Sequence, residues 1–175
     1  MELTDNEKAW AEVVLNYHHE YTKPYGIFQY IYTLQEGQAI DYEELENLQG
    51  SLIAYFEDMD NTSSDKLVLR HIDLFSQITE LAHALLFIKY QMLPDESISE
   101  AHKISIVKHH DYGSDNILMF RVKGIVVRLS DKTSRLINLL KNNREAQNES
   151  IKDTLLDMMN YSTYAIMLLK NAWIS

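Results

Sequence analysis

The chain has no cysteine. Disulfides, thiol nucleophiles and cysteine-ligated zinc or iron–sulfur centres are therefore excluded, and the composition suits a reducing compartment. Glycine and proline are scarce, 5 and 2 in 175 residues, where average usage would give roughly 12% for the two together. Sheets joined by tight turns draw on those residues at their corners, so a β-sandwich or barrel is disfavoured. The five glycines stand apart at positions 26, 37, 50, 113 and 124, which removes the clustered glycines of a P-loop or dinucleotide fingerprint. No Gly-x-Ser-x-Gly element, His-Glu-x-x-His pair or EF-hand loop occurs, so serine hydrolases, zincins and calcium sensors are set aside. No apolar run approaches the ~18 residues of a membrane span. Met1-Glu2-Leu3-Thr4-Asp5 does not read as a signal peptide. The expectation is a soluble, cytoplasmic protein.

What is present is enough for a core: 46% of residues are apolar and 10% aromatic. The length suits one domain or two small ones. The formal net charge of −10 conceals an uneven distribution. Residues 1–95 hold 5 Lys/Arg against 17 Asp/Glu, a net of −12, whereas residues 96–175 carry +2. Within that second part, residues 101–144 hold 9 basic and 3 acidic side chains. An acidic arm disfavours direct binding of nucleic acid, while the basic segment suits a phosphate-bearing ligand. The boundary falls near Pro94, dividing an acidic helical region, 1–95, from a helical region, 96–175, unless the whole forms one compact domain.

The pattern along the chain is helical. Thr4-Asp5-Asn6-Glu7 is a capping box that opens a first helix. Ile27 to Leu34, bracketed by Pro24, Gly26 and Gly37, fits either a helix or a strand. Asp41 is placed to cap a helix whose apolar face is Leu45, Leu48, Leu52, Ile53 and Phe56. A polar turn from Asp58 to Ser64 precedes a long helix through Ile72, Phe75, Ile78, Ala82 and Leu85, which stops before Pro94. Ser97-Ile98-Ser99-Glu100 reads as a second capping box, opening a helix that ends near Gly113. The apolar segment Ile117 to Phe120 follows, then a helix from Lys123-Gly124 to Lys141, and a last helix capped by Asn148 and running to Trp173. The predicted fold is all-α, a bundle of about five to seven helices ending in an antiparallel helical hairpin.

That hairpin concentrates the polar chemistry. Glu149, Asp153, Asp157, Asn160 and Tyr164 follow one another at steps of three or four residues and share one face of the last helix. Asp157 and Asn160 stand out, because Leu155, Leu156, Met158 and Met159 surround them and polar groups in so apolar a stretch need partners. The preceding helix offers Arg128, Asp131, Lys132 and Arg135 at helical spacing. Three readings compete. The first is an interhelical ion-pair network of Arg128 and Arg135 against Asp153 and Asp157. The second is a divalent-metal site in which carboxylates hold the metal and Lys/Arg hold phosphate, as phosphohydrolysis requires. The third is ligand binding without catalysis.

The motifs Asp111-Tyr112-Gly113, Arg128-Leu129-x-Asp131-Lys132-x-x-Arg135-Leu136-x-Asn138-Leu139 and Glu149-Ser150-Ile151-x-Asp153-Thr154-Leu155-x-Asp157-x-x-Asn160-Tyr161 resemble the nucleotide-modification-associated domain 1 family over residues ~104–170. That family, found largely in bacteriophages, implies an all-α fold and a role in nucleotide metabolism. The resemblance marks Asp111, Tyr112, Asp131, Lys132, Arg135, Glu149, Asp153, Asp157 and Asn160. A looser likeness is to MazG-like all-α nucleotide pyrophosphohydrolases, which pair Glu-x-x-Glu and Glu-x-x-Asp helices around magnesium. Here the spacing is Glu149-x-x-x-Asp153 and Arg128-x-x-Asp131, with Asp41, Glu43, Glu44 and Glu46 as a further source of acids. By analogy with such enzymes, which build sites across subunits, a homo-oligomer is compatible.

The leading expectation is a phage-type protein, acting in the host cytoplasm, that binds a nucleotide or nucleotide-derived signal. Arg128, Lys132 and Arg135 would hold phosphate, with Asp111, Tyr112, Asp131 and Asn160 as further ligand contacts. Asp153, Asp157 and Glu149 would be the catalytic acids of a phosphoanhydride hydrolysis, Asp153 and Asp157 binding Mg2+ or Mn2+. The rival expectation is a non-enzymatic anti-defence protein, either a sponge for a nucleotide signal or an acidic inhibitor of a basic host protein. Three weaker signals remain. His110-Asp111 imitates the dyad of HD-type phosphohydrolases, with His71 or His83 upstream. His102 and His109 share a helix face. Tyr17, Tyr21, Tyr25, Tyr30 and Tyr32 could stack a base or form an interface.

Overall fold

The computed structural model describes residues 2–36, 42–58 and 65–174. Among the described residues there are eight helices and no strand: α1 (Asp5–Tyr21), α2 (Pro24–Glu36), α3 (Glu43–Asp58), α4 (Asp65–Tyr90), α5 (Pro94–Tyr112), α6 (Asp115–Leu118), α7 (Arg121–Lys141) and α8 (Ile151–Leu169). The expected all-α bundle with a C-terminal hairpin is what forms. None of these helices is long and apolar enough to cross a membrane. Asp41, Gly37 and the polar stretch 59–64 lie outside the described residues.

Helix α8 is the centre of the bundle. From Thr154 to Leu168 every residue except Tyr161 is buried, because α4 and α7 pack on two of its sides and α1 and α5 on others. A helix covered all round should be apolar all round. Leu155, Leu156, Met158, Met159 and Ile166 satisfy that, and burial of each such side chain contributes roughly 1.5–3 kcal/mol. Helix α7 is different. Its Val122, Ile125, Val126, Leu129, Leu136 and Leu139 are buried, while its Lys132 and Arg135 reach polar side chains of α8. Helices α2 and α3 pack against α4 and α7 respectively.

Thr4 caps α1 as expected, its Oγ1 accepting from Glu7 N at 3.2 Å and its N–H donating to Glu7 Oε2 at 2.7 Å. The segment from Ile27 forms a helix rather than a strand, and Ile27 and Ile31, four apart, are both buried. Four expectations are corrected. Helix α5 starts at Pro94, not after Ser97, because proline is preorganised for the first helical turn. Ser97 is then interior, and its hydroxyl bonds back to the Leu93 and Pro94 carbonyls at 3.2 and 2.9 Å. The cap of α8 is Ser150, not Asn148, and Asp153 completes its capping box. Helix α8 ends at Leu169, so Trp173 lies beyond it and packs on Trp10, ring centroids 5.7 Å apart. In α3 the buried face is Leu45, Leu48, Leu52 and Tyr55, leaving Ile53 and Phe56 exposed beside α7.

Candidate functional site

A cleft of about 280 Å³ opens where the C-terminal end of α5, the short α6, and the facing sides of α7 and α8 meet. Helix α5 contributes Lys108, His109 and Tyr112, α6 contributes Asn116, and α7 contributes Arg128. From α8 come Asp157, Asn160, Tyr161 and Tyr164, while Trp10 and Trp173 close the apolar side. The chain can turn sharply from α5 into α6 because Gly113 adopts a φ of 65°, and its N–H still closes the helix onto the His109 carbonyl at 2.8 Å.

The apolar wall is an aromatic stack. His109 lies flat on Trp10, centroids 3.8 Å apart and planes 8° apart. Tyr164 meets Trp173 edge-on at 5.5 Å, and the Trp173 indole N–H donates to Ser114 Oγ at 3.2 Å. Burial lowers the His109 pKa against the opposing pull of Glu7, so the ring is neutral near pH 7. Burial also raises the Tyr164 pKa, and the phenol stays protonated. Toward solvent the wall ends in Tyr112, which is 64% exposed.

The polar wall is built around Asp157, whose carboxylate is buried. Lys108 reaches one oxygen, and Lys132 reaches the other at 2.9 Å. Lys132 also donates to Glu149 Oε1 at 2.6 Å. Burial works against the Lys132 ammonium, but the hydrogen bonds and charges of Glu149 and Asp157 outweigh it and raise its pKa. Arg128 donates through Nη2 to Asn116, at 2.7 Å to Oδ1 and 3.2 Å to the carbonyl. Its guanidinium lies 5.5 Å from the Tyr161 ring centre, within cation–π range.

The structure thus brings Arg128, Asp157, Asn160 and Tyr112 into one cleft, with Lys132 and Glu149 joined to it through Asp157. It does not bring Asp111, Asp131, Arg135 or Asp153 there. Asp111 and Asp131 are exposed, Asp131 facing the α3 side of α7. The Asp153 carboxylate accepts from Ser150 Oγ at 2.7 Å and from its N–H at 3.3 Å, as a helix cap. Arg135 donates to Thr154 Oγ1 and to the Glu149 carbonyl, bracing the connection between α7 and α8. The interhelical ion pairs therefore run from Lys108 and Lys132 to Asp157, not from Arg128 and Arg135. Among the described residues no group of three or more His, Asp or Glu side chains stands where it could hold a metal ion. His110, the first member of the apparent His-Asp dyad, pairs with Glu7 at 2.9 Å.

Asn160 is buried and both ends of its amide are engaged. Its Nδ2 donates to the Ala101 carbonyl at 2.9 Å, which turns Oδ1 toward His18 Nε2 at 3.0 Å. That orientation puts the His18 proton on Nε2, and Nδ1 accepts from the Thr163 hydroxyl at 3.1 Å. Lys108, Trp10, Asn116 and Trp173 escaped the sequence reading. Lys108 was legible only as one charge of the basic segment, and the two tryptophans lie at opposite ends of the chain. No curated protein and no solved structure matches the chain at a significant level. Residues 108–169, which supply every cleft residue except Trp10 and Trp173, match the family model described as nucleotide modification associated domain 1.

Proposed function

We propose that the cleft binds a nucleotide and holds it without breaking it. The carrying observation is the placement of Arg128, a guanidinium whose hydrogen bonds among the described residues go to the neutral Asn116 and which is set against Tyr161, at the edge of an aromatic-walled cleft. A guanidinium fork recognises phosphate, and tyrosine faces stack bases or sugars at low entropic cost. Tyr112 and Tyr161 would carry the base, while Arg128, supported by Lys108, would carry phosphate. The volume of about 280 Å³ is at the small end of ligand pockets, ~300–1,000 Å³. Binding is favoured over hydrolysis because Asp157, the acid of the cleft, already accepts from two ammonium groups and so makes a poor general base.

The test is a panel of nucleotides with and without Mg2+ or Mn2+, followed by thermal shift and by product formation. A shift without product, weakened about tenfold by Arg128→Ala, is expected. Metal-dependent turnover would replace binding by catalysis, and no shift with any nucleotide would sink the reading.

A further inference from the structure

Helices α3 and α7 run antiparallel. Lys141 pairs with Glu46 at 3.1 Å towards one end, and the Lys123 ammonium lies 5.5 Å from the Phe56 ring centre towards the other. Near that second end their outer face is apolar and open, with Ile53, Phe56, Phe120 and Val127 between 40% and 65% exposed. Apolar side chains grouped in this way mark an interaction surface. Two adjoining pockets on this face share Phe56 and Val127. The charged residues lining the first are Arg121, Lys123 and Arg128, and those lining the second are Glu57 and Asp131. Arg128 and Arg135, which flank Asp131 on α7, bond to Asn116 and Thr154 instead. The face therefore has an apolar centre, a cationic end and an anionic end.

We propose that a second copy of this chain docks on the face, the two copies related by a twofold axis through the shared Phe56 and Val127 centre. A twofold contact has to be self-complementary. Half a turn about that axis lays the apolar centre on itself. It also sets Arg121 and Lys123 of each copy against Glu57 and Asp131 of the other. A partner of one charge sign would meet repulsion at one end, whereas the second copy fits both ends. The proposal stands independently of the nucleotide reading, although Asn116, Ile117 and Arg128 line the cleft as well as this face.

The experiment is analytical sedimentation of the full chain over a range of concentrations, with circular dichroism to confirm that each variant is folded. The native chain should dimerise, and added salt should weaken the dimer. Val127→Glu puts a charge into the apolar centre and should weaken dimerisation by about tenfold or more. Arg121→Asp and Asp131→Arg should each weaken it about tenfold. Aspartate suits residue 121, where φ is 47°. The chain carrying both reversals should dimerise more tightly than either single variant, because each exchanged charge again meets its opposite. If Val127→Glu fails to fold, the reversal series decides, since Arg121 and Asp131 are both exposed. A native chain that stays monomeric at every concentration overturns the proposal, whatever other protein the face binds. A dimer unaffected by Val127→Glu overturns it too, as do two reversals whose effects merely add.

Discussion

His18 and Asn160, 142 positions apart, meet in a buried hydrogen bond of 3.0 Å that joins α1 to the central helix α8. Both side chains are almost wholly enclosed, and a second buried histidine stands nearby. His83 Nδ1 lies 2.6 Å from Ser97 Oγ and Nε2 lies 3.2 Å from Thr22 Oγ1. Since the Ser97 hydroxyl donates to backbone carbonyls, its oxygen accepts, and the His83 proton resides on Nδ1.

Both rings are held neutral, which makes the fold sensitive to acid. Burial lowers the His18 pKa to about 4 and the His83 pKa to about 3, from an ordinary 6.5. In the unfolded chain both take up protons near pH 6.5, so the unfolded state binds more protons below that value. Stability is complete above pH 6.5 and falls as the pH drops toward 4, by about 1.4 kcal/mol per pH unit for each histidine. Urea midpoints at pH 7.5, 6.0 and 5.0 should show this decline. His18→Gln should be less stable at pH 7.5 yet lose stability less steeply with acid. An unchanged slope in that variant would contradict the assignment.

Asp157 stabilises through two partners of unequal weight. Lys132 is the more enclosed, 18% exposed against 43% for Lys108, and a carboxylate removed from between them leaves Lys132 half-buried with Glu149 alone. Asp157→Ala should cost about 2–3 kcal/mol, near the lower end for breaking a buried pair because solvent reaches Lys108. Lys108→Ala should cost under about 1 kcal/mol, since solvent screens that contact and Lys132 remains. Chemical denaturation of the two variants checks the order. Equal costs would mean that Lys108 matters as much as Lys132.

The sequence made some of this legible and concealed the rest for a physical reason. The capping box read at Thr4 lies at a true helix start, whereas the last helix is capped by Ser150, two residues beyond the expected Asn148. The second box, at Ser97, loses to Pro94, which begins the helix three residues earlier and turns the serine inward toward His83. Asp157 and Asn160 were visible as polar residues in an apolar helix. Their partners were not, since Lys108 and His18 are separated from them by 49 and 142 positions and only the packed bundle brings them near. The acidic stripe dissolved for a similar reason. Asp153 serves its own helix as a cap, so helical spacing grouped it with residues whose work lies elsewhere.

The entry into α7 depends on a close approach. A Cβ added at Gly124 would lie 2.7 Å from Phe120 Cβ, an atom fixed by the backbone, just before Arg121 turns the chain at a φ of 47°. Gly124→Ala should therefore destabilise by about 1 kcal/mol, overpacking outweighing the roughly 1 kcal/mol gained in helix propensity. Phe120→Ala leaves the clashing atom in place and should not rescue the variant. In a Phe120→Gly background, where that atom is gone, Gly124→Ala should become stabilising. Thermal melts of the native, Phe120→Ala and Phe120→Gly chains, each with and without Gly124→Ala, decide it, and rescue by Phe120→Ala would place the clash on the ring instead.

Arg128 and Arg135 are seven residues apart on α7 and do different work. Arg135 is engaged by Thr154 and the Glu149 carbonyl, so it ties residues 142–150 to the end of α7. Arg128 bonds to the exposed Asn116 and lines the cleft. Arg135→Ala should lower stability by about 2 kcal/mol, the scale of a lost charged hydrogen-bond pair, while nucleotide affinity changes less than about twofold. Arg128→Ala should leave stability within about 0.5 kcal/mol and weaken nucleotide binding about tenfold. Denaturation and calorimetry on the same two variants separate the roles. Loss of binding in both, in proportion to loss of stability, would mean that Arg128 supports the fold rather than the ligand.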